Sequence, residues 1–184
     1  ERLFRKAGFP VLDADAVSLF LTDKDSATMT CRAQSGFRTS LIEGSVVNYG
    51  DSYVGQAAVQ QRIIAMPTLI PAAEEEGFAN LIEGEKFKSQ YCAPIIVAGK
   101  TTGVLEVFTR KQFSPSPEWT ILFDAIAAQT GLALDYNAIY ADLQRAYLDL
   151  ELSYEATIEG WSAAMDYRDQ ETEGHSKRVT ALTL

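Results

Sequence analysis

Tyr91-Cys92-Ala93-Pro94-Ile95-Ile96-Val97 and Thr102-Gly103-Val104-Leu105-Glu106-Val107-Phe108 are two β-rich runs, and Gly99-Lys100 stands between them as a two-residue turn. Glycine supplies the positive φ that such a turn needs, so the segment reads as an antiparallel hairpin. Pro94 lacks a ladder donor, which places it at an edge or beside a bulge.

Upstream, Ala16 to Leu21 is a strand candidate with Val17, Leu19 and Leu21 on one face. After the polar turn Thr22-Asp23-Lys24-Asp25-Ser26, Ala27 to Gln34 returns as a second strand. A short apolar piece at Val46-Val47 and a strand at Ile63 to Met66, ended by Pro67, flank a short helix at Gln56 to Gln61. Thr68 to Gln90 reads as irregular, with an acidic run at Glu74-Glu75-Glu76, and an irregular segment of that length in a compact domain is functional or mobile. The fold class expected is α+β: five or six strands in one antiparallel sheet, flanked by helices.

Downstream, Ser116-Pro117-Glu118 opens a helix, with a capping hydroxyl, a proline suited to the first turn, and a carboxylate that complements the dipole. Leu122, Ile126, Gln129, Ala133, Tyr136, Tyr140, Leu143, Tyr147, Leu150 and Tyr154 then recur at alternate steps of four and three, the seam of a coiled coil. Roughly forty residues at ~1.5 Å each make ~60 Å of helix, too long to pack on its own domain throughout. The expected partner is a second copy of the chain: a homodimer through the helix from Ser116 to Tyr154.

A formal net charge of −9 argues against direct, non-specific binding to nucleic acid or anionic lipid. No apolar run reaches the ~20 residues of a membrane span. Cys31 and Cys92 form no metal spacing and no disulfide framework, which points to a reducing cytoplasm. The sequence opens at Glu1 and stops at Leu184 inside an apolar pattern, as a piece of a longer protein would.

The runs DADAVSLFLTD, VGQAAVQQRIIAMP, YCAPIIVAGKTTGVLEVF and FSPSPEWTILFDAIAAQTGLALDYNAIY, in that order, resemble a GAF domain over Asp13 to Tyr140. The resemblance implies a sensor module with a pocket between the sheet and the Thr68 to Gln90 segment. Tyr53, Phe78, Phe87 and Tyr91 are its aromatic candidates; the alternative for them is core packing. The family's ligand signatures are missing: no Asn-Lys-Phe-Asp-Glu-like run for a cyclic nucleotide, no Cys-His pair for a bilin, and no histidine before His175 for haem. The ligand is therefore unknown.

TIEGWSAAMDYRDQETEGHSKRVTALTL, residues 157–184, resembles the opening of an HD-GYP domain, a metal-dependent phosphodiesterase that acts on cyclic di-GMP. That likeness implies that the helix ends in an acidic loop, for which Asp166, Asp169, Glu171 and Glu173 are the candidates; Thr172 suits the cap of the helix after it, with Glu173 in the first turn. It also implies Glu171 and His175 as two ligands of an incomplete divalent-metal site, for iron or manganese, with the rest beyond Leu184. By spacing alone, His175 shares a helix face with Val179 and Leu182 and reads first as a buried, hydrogen-bonded imidazole; the resemblance is what turns it into a metal ligand.

The division expected is 1–140 as GAF sensor, 141–156 as coiled-coil signalling helix and 157–184 as the truncated start of the HD-GYP domain. No catalytic residue is expected within the fragment. Two alternatives stand beside this: an input module of a transcription activator or histidine kinase, and a GAF-type free methionine sulfoxide reductase using Cys31 and Cys92. For that pair the other role is as small buried hydrophobes.

Overall fold

A computed structural model describes residues 12–23, 26–71 and 76–182, with side chains as far as Arg168 except that of Asp166. Contacts divide the chain into two units, 1–135 and 136–184.

The first unit is built on six antiparallel strands: β1 (Ala16–Thr22), β2 (Thr28–Ser35), β3 (Val46–Asn48), β4 (Ile64–Met66), β5 (Ser89–Val97) and β6 (Lys100–Thr109). They lie in the order β3-β2-β1-β6-β5-β4, so the two strands of the hairpin and β1 occupy the middle. Helix α1 (Ser52–Gln60) lies between β3 and β4 in sequence, α2 (Glu76–Glu85) between β4 and β5, and α3 (Pro117–Leu182) comes after β6. The α+β expectation holds.

Alternation along the strands makes two cores. Phe20, Met29, Cys92, Val104 and Phe108 face one side with Ala57 of α1 and Leu81 and Ile82 of α2. Val17, Leu19, Tyr91, Ile95, Leu105 and Val107 face the other, with Phe123 and Ala127 of α3.

Several details differ from expectation, the first being that α1 starts at Ser52 rather than Gln56. The hairpin turn is Ala98-Gly99, both at positive φ (49° and 78°), closed by the Val97–Lys100 pair rather than centred on Gly99-Lys100. A two-residue turn of this hand needs positive φ at both central positions, and only the second is glycine. Pro94 pairs with Val104 of β6 but lies past the Gln90 to Cys92 stretch that pairs with β4, so the outer flank of β5 is open beside it, and the register shifts at Ile95/Ile96. Finally, Thr68 to Gln90 is not irregular throughout. Leu81, Ile82 and Glu85 of α2 are buried, with Phe78 packed beside them, at the spacing of one helix face.

Ser116 caps α3 as expected, accepting from Trp119 N at 3.2 Å. From there to Asp135 the helix packs on its own sheet through Trp119, Phe123 and Ala127 and through Gly131. A side chain at Gly131 would meet Ile95 and Val97 at 3.1 and 3.3 Å, so glycine lets the helix approach β5. The seam expected across this stretch is displaced as a result: Gln129 and Ala133 are exposed, and the sheet-facing residues beside them form the packed face instead.

In the second unit the backbone is helical from Tyr136 to Leu182. Tyr136, Tyr140, Leu143, Tyr147, Leu150, Tyr154, Ile158, Trp161 and Met165 recur at steps of three and four, and each is 47–70% exposed within one chain. The acidic loop expected among Asp166, Asp169, Glu171 and Glu173, and the helix start at Thr172, are not seen; the helix backbone runs through them. No proline occurs after Pro117, so nothing covalent forces a break there.

Candidate functional site

Beneath α1 and α2 the sheet encloses a cavity of about 420 Å³. Phe20 of β1, Val47 of β3, Val54 of α1 and Phe78 and Leu81 of α2 form its apolar wall, and Gln90 of β5 and Glu106 of β6 its polar floor. The floor is a consequence of register. Glu106 sits on the central strand, opposite Ser18 on β1 and Cys92 on β5. As a result, side chains of the same strand phase converge under the helices.

Ser18 Oγ donates to Glu106 Oε2. Gln90 Nε2 donates to Glu106 Oε1 at 2.5 Å and lies 3.6 Å from Cys92 Sγ. Burial pushes the Glu106 carboxyl up to about 7, against the pull of those two hydrogen bonds. Gln90 Oε1 is buried and has no hydrogen-bond partner among the described residues.

Of the four aromatic candidates, only Phe78 lines this cavity. Tyr53 is its neighbour, with ring centroids 6.1 Å apart. Phe87 is core: it stacks on Phe108 at 4.4 Å, meets Phe37 edge-on and lies under the Arg110 guanidinium. Tyr91 faces the opposite side of the sheet, among Phe113 and Trp119, with its hydroxyl donating to Phe113 O. Sequence reasoning missed Ser18, Gln90 and Glu106. The available signal was a carboxylate in the middle of an otherwise apolar strand, since a charge on a central strand must be paired, neutralised or functional.

A second buried carboxylate closes the edge of the site. Glu85 at the end of α2 accepts from Arg38 N, Thr39 N and Thr39 Oγ1 at 2.7 to 2.9 Å and pairs with Arg110 at 2.7 Å. Burial opposes its ionisation, but the hydrogen bonds from Thr39, Arg110 and Arg38 outweigh that and hold its pKa below the usual carboxylate range. It ties α2 to the loop that carries Leu41 and Ile42 over the cavity.

Cys31 and Cys92 are free and buried. Burial and the charge of Glu106 push the Cys31 thiol up to about 11 and the Cys92 thiol well above its usual value. Neither is held as a thiolate, the form that redox catalysis needs. The side chains of Glu171 and His175 lie outside the described residues, and among the described residues no cluster of His, Cys, Asp or Glu is arranged to hold a metal. No described helix is long and apolar enough to cross a membrane.

Comparison with known proteins agrees with this architecture. The GAF domain of a phosphoenolpyruvate-protein phosphotransferase from Coxiella burnetii shares 20% identity at a TM-score of 0.60, over 70% of this chain and 76% of that one. A methyl-accepting chemotaxis protein fragment shares 19% at 0.58, over 73% and 86%. A type II free methionine-R-sulfoxide reductase from Thermoplasma acidophilum shares 16% at 0.52, over 65% and 77%. At such identities the likeness is one of fold. A search of the curated proteins finds no match. The family model described as GAF domain matches residues 2–134, which is most of the chain and includes every strand, both cavity helices and the start of α3; the chain belongs to the GAF domain family.

Proposed function

We propose that this chain is the sensor of a signalling protein, in which a small molecule in the cavity biases the pairing of two α3 helices and so controls a C-terminal output domain. GAF domains are sensory modules of signalling proteins, and what carries the reading here is the cavity's composition: apolar walls with a few convergent polar groups and a perturbed carboxylate. The bare row from Tyr136 to Met165 supports the pairing, since large apolar rows on soluble helices mark association surfaces. A ligand can act this way only through different affinities for two helix arrangements.

The output we propose is an HD-GYP phosphodiesterase acting on cyclic di-GMP, on the likeness of residues 157–184 to the start of that domain. Glu171 and His175 would then be two of its ligands for iron or manganese. A reducing cytoplasm as its location is supported by the two free cysteines. The raised thiols speak against the sulfoxide reductase reading. The transcription-activator and kinase alternatives share the sensor and the helix, and differ only in the output domain joined to α3.

The sensor proposal is tested by oxidative cross-linking of Leu143→Cys in a background with Cys31 and Cys92 replaced by alanine. Cross-linked dimers are expected, with a rate that changes when Leu81→Trp fills the cavity. Absence of cross-links, or a rate indifferent to the filled cavity, contradicts it. For the output, the full-length protein loaded with iron or manganese should hydrolyse cyclic di-GMP.

A further inference from the structure

The cavity floor is lopsided in hydrogen-bonding capacity. The one hydroxyl hydrogen of Ser18 goes to Glu106, and the amide hydrogens of Gln90 face Glu106 and Cys92. What is left over on the floor consists of acceptors: the unpartnered Gln90 Oε1, and the lone pairs of the Glu106 carboxylate beyond those two bonds and the long Cys92 thiol contact at 4.0 Å. Ser45, on the wall, donates to Ile42 O at 2.8 Å. Ser52 is at the exposed rim, with its oxygen toward Gly55 N. Among the described lining residues none is cationic, and Glu106 is the one titratable group. An anion reaching the floor would meet acceptors there and no cationic side chain to offset its desolvation; the donors on the lining, the Ser52 hydroxyl and the first turns of α1 and α2, stand at the rim instead.

Resting on the assignment of this cavity as the sensor's ligand site, we propose that it takes a small planar molecule with a donor edge, an amidine, guanidine or amino-heterocycle, whose N–H groups meet Gln90 Oε1 and Glu106 while its apolar body lies against Phe78 and Leu81. A buried acceptor without a partner is costly, and a donor edge relieves it while rejecting an isosteric acceptor edge, which leaves the floor unpaired. The volume suits a ligand at the lower end of the usual range for small-molecule pockets. The thiols of Cys92 on β5 and Cys31 on β2 are the titratable groups nearest Glu106 in the sheet, and both are held neutral, so the floor carries at most one charge.

The test uses three probes of one shape on the 184-residue chain, benzamidine, benzamide and benzoate, with amide and side-chain ¹H–¹⁵N shifts as the readout. At pH 8 benzamidine is expected to move the Gln90 side-chain and cavity resonances and to bind about tenfold more tightly than benzamide, with benzoate moving none. Its affinity should fall as pH drops from 8 to 6, because Glu106 takes up a proton near 7 and the cation then meets a neutral acid. Glu106→Gln should abolish that pH dependence, and Gln90→Leu, which leaves the carboxylate in place, should weaken benzamidine about tenfold. Benzoate binding as well as benzamidine, or benzamidine binding both variants as it binds the parent, overturns the ligand class and leaves the cavity as a ligand site. If none of the three moves a cavity resonance at about 10 mM, the sensor-site assignment falls along with the ligand class.

Discussion

Glu106 and Glu85 are buried in the same core and are held in opposite ways, and the difference is countable donors. Glu85 has an arginine and three further donors; Glu106 has the Ser18 hydroxyl, the Gln90 amide and a long contact from the Cys92 thiol, all neutral, and no cation. Glu106 has a folded pKa of about 7 against an ordinary value of 4.5, so between those pH values the folded chain holds a proton that the unfolded chain does not. Its contribution to stability is complete below pH 4.5 and is lost as pH rises to about 7. Glu106→Gln should therefore gain on the parent across that window, by on the order of 3 kcal/mol, and run parallel to it above, as read by urea unfolding at about pH 4.5, 6 and 8. For Glu85 the sign is reversed: its contribution is present at neutral pH and lost in acid. Glu85→Ala leaves two loop amides without their acceptor and Arg110 with Asp15 as its remaining carboxylate, and should cost about 2–4 kcal/mol near neutral pH, read by the same unfolding experiment. At this scale the sequence points to aromatic rings, and three of its four candidates do not line the cavity. Which side of the sheet a ring faces depends on strand phase, which the spacing around Tyr91 and Phe87 does not reveal. An acid between Leu105 and Val107 on a central strand is the more informative residue, because its burial demands an explanation that a buried ring does not.

Elements are easier to read than sites, because periodicity and turn chemistry are local. The six strands and the Ser116 cap are legible, with boundaries shifted by a residue or two. Helix α2 is hidden because Gly77 and Gly84 look like breakers, yet the spacing of Phe78, Leu81, Ile82 and Glu85 is present in the sequence. Two glycines of α3 make a contrasting pair. Gly131 has Ile95 and Val97 within 3.3 Å of a built side chain, whereas Gly160 has nothing within 4 Å. Gly131→Leu should lower stability by about 1–3 kcal/mol through overpacking against β5. Gly160→Ala should raise the helical signal and the thermal midpoint, worth up to ~1 kcal/mol. Circular dichroism melts of both variants check this, and equal effects would contradict the assignment of Gly131 to the sheet interface.

In the molecule as a whole, one chain leaves bare a row of large apolar side chains along α3. Helix α3 serves its own sheet as far as Asp135, and beyond it twelve large apolar side chains from Tyr136 to Met165 are exposed within the chain, nine of them on the row that recurs at steps of three and four. Helix length alone raises the expectation of a partner from the sequence; where packing on the sheet stops is not legible, because Phe123 and Ala127 and the seam residues beside them share overlapping helical spacings. Leu143→Asp with Leu150→Asp should separate the copies by placing two unpaired charges in the seam, while the sheet's two cores, which contain neither residue, stay folded. The most direct measurement is the mass of the unmodified chain by sedimentation equilibrium at about 100 μM, well above a typical micromolar dissociation constant. Twice the 20.2 kDa chain mass is predicted, and a single 20.2 kDa species would contradict the account.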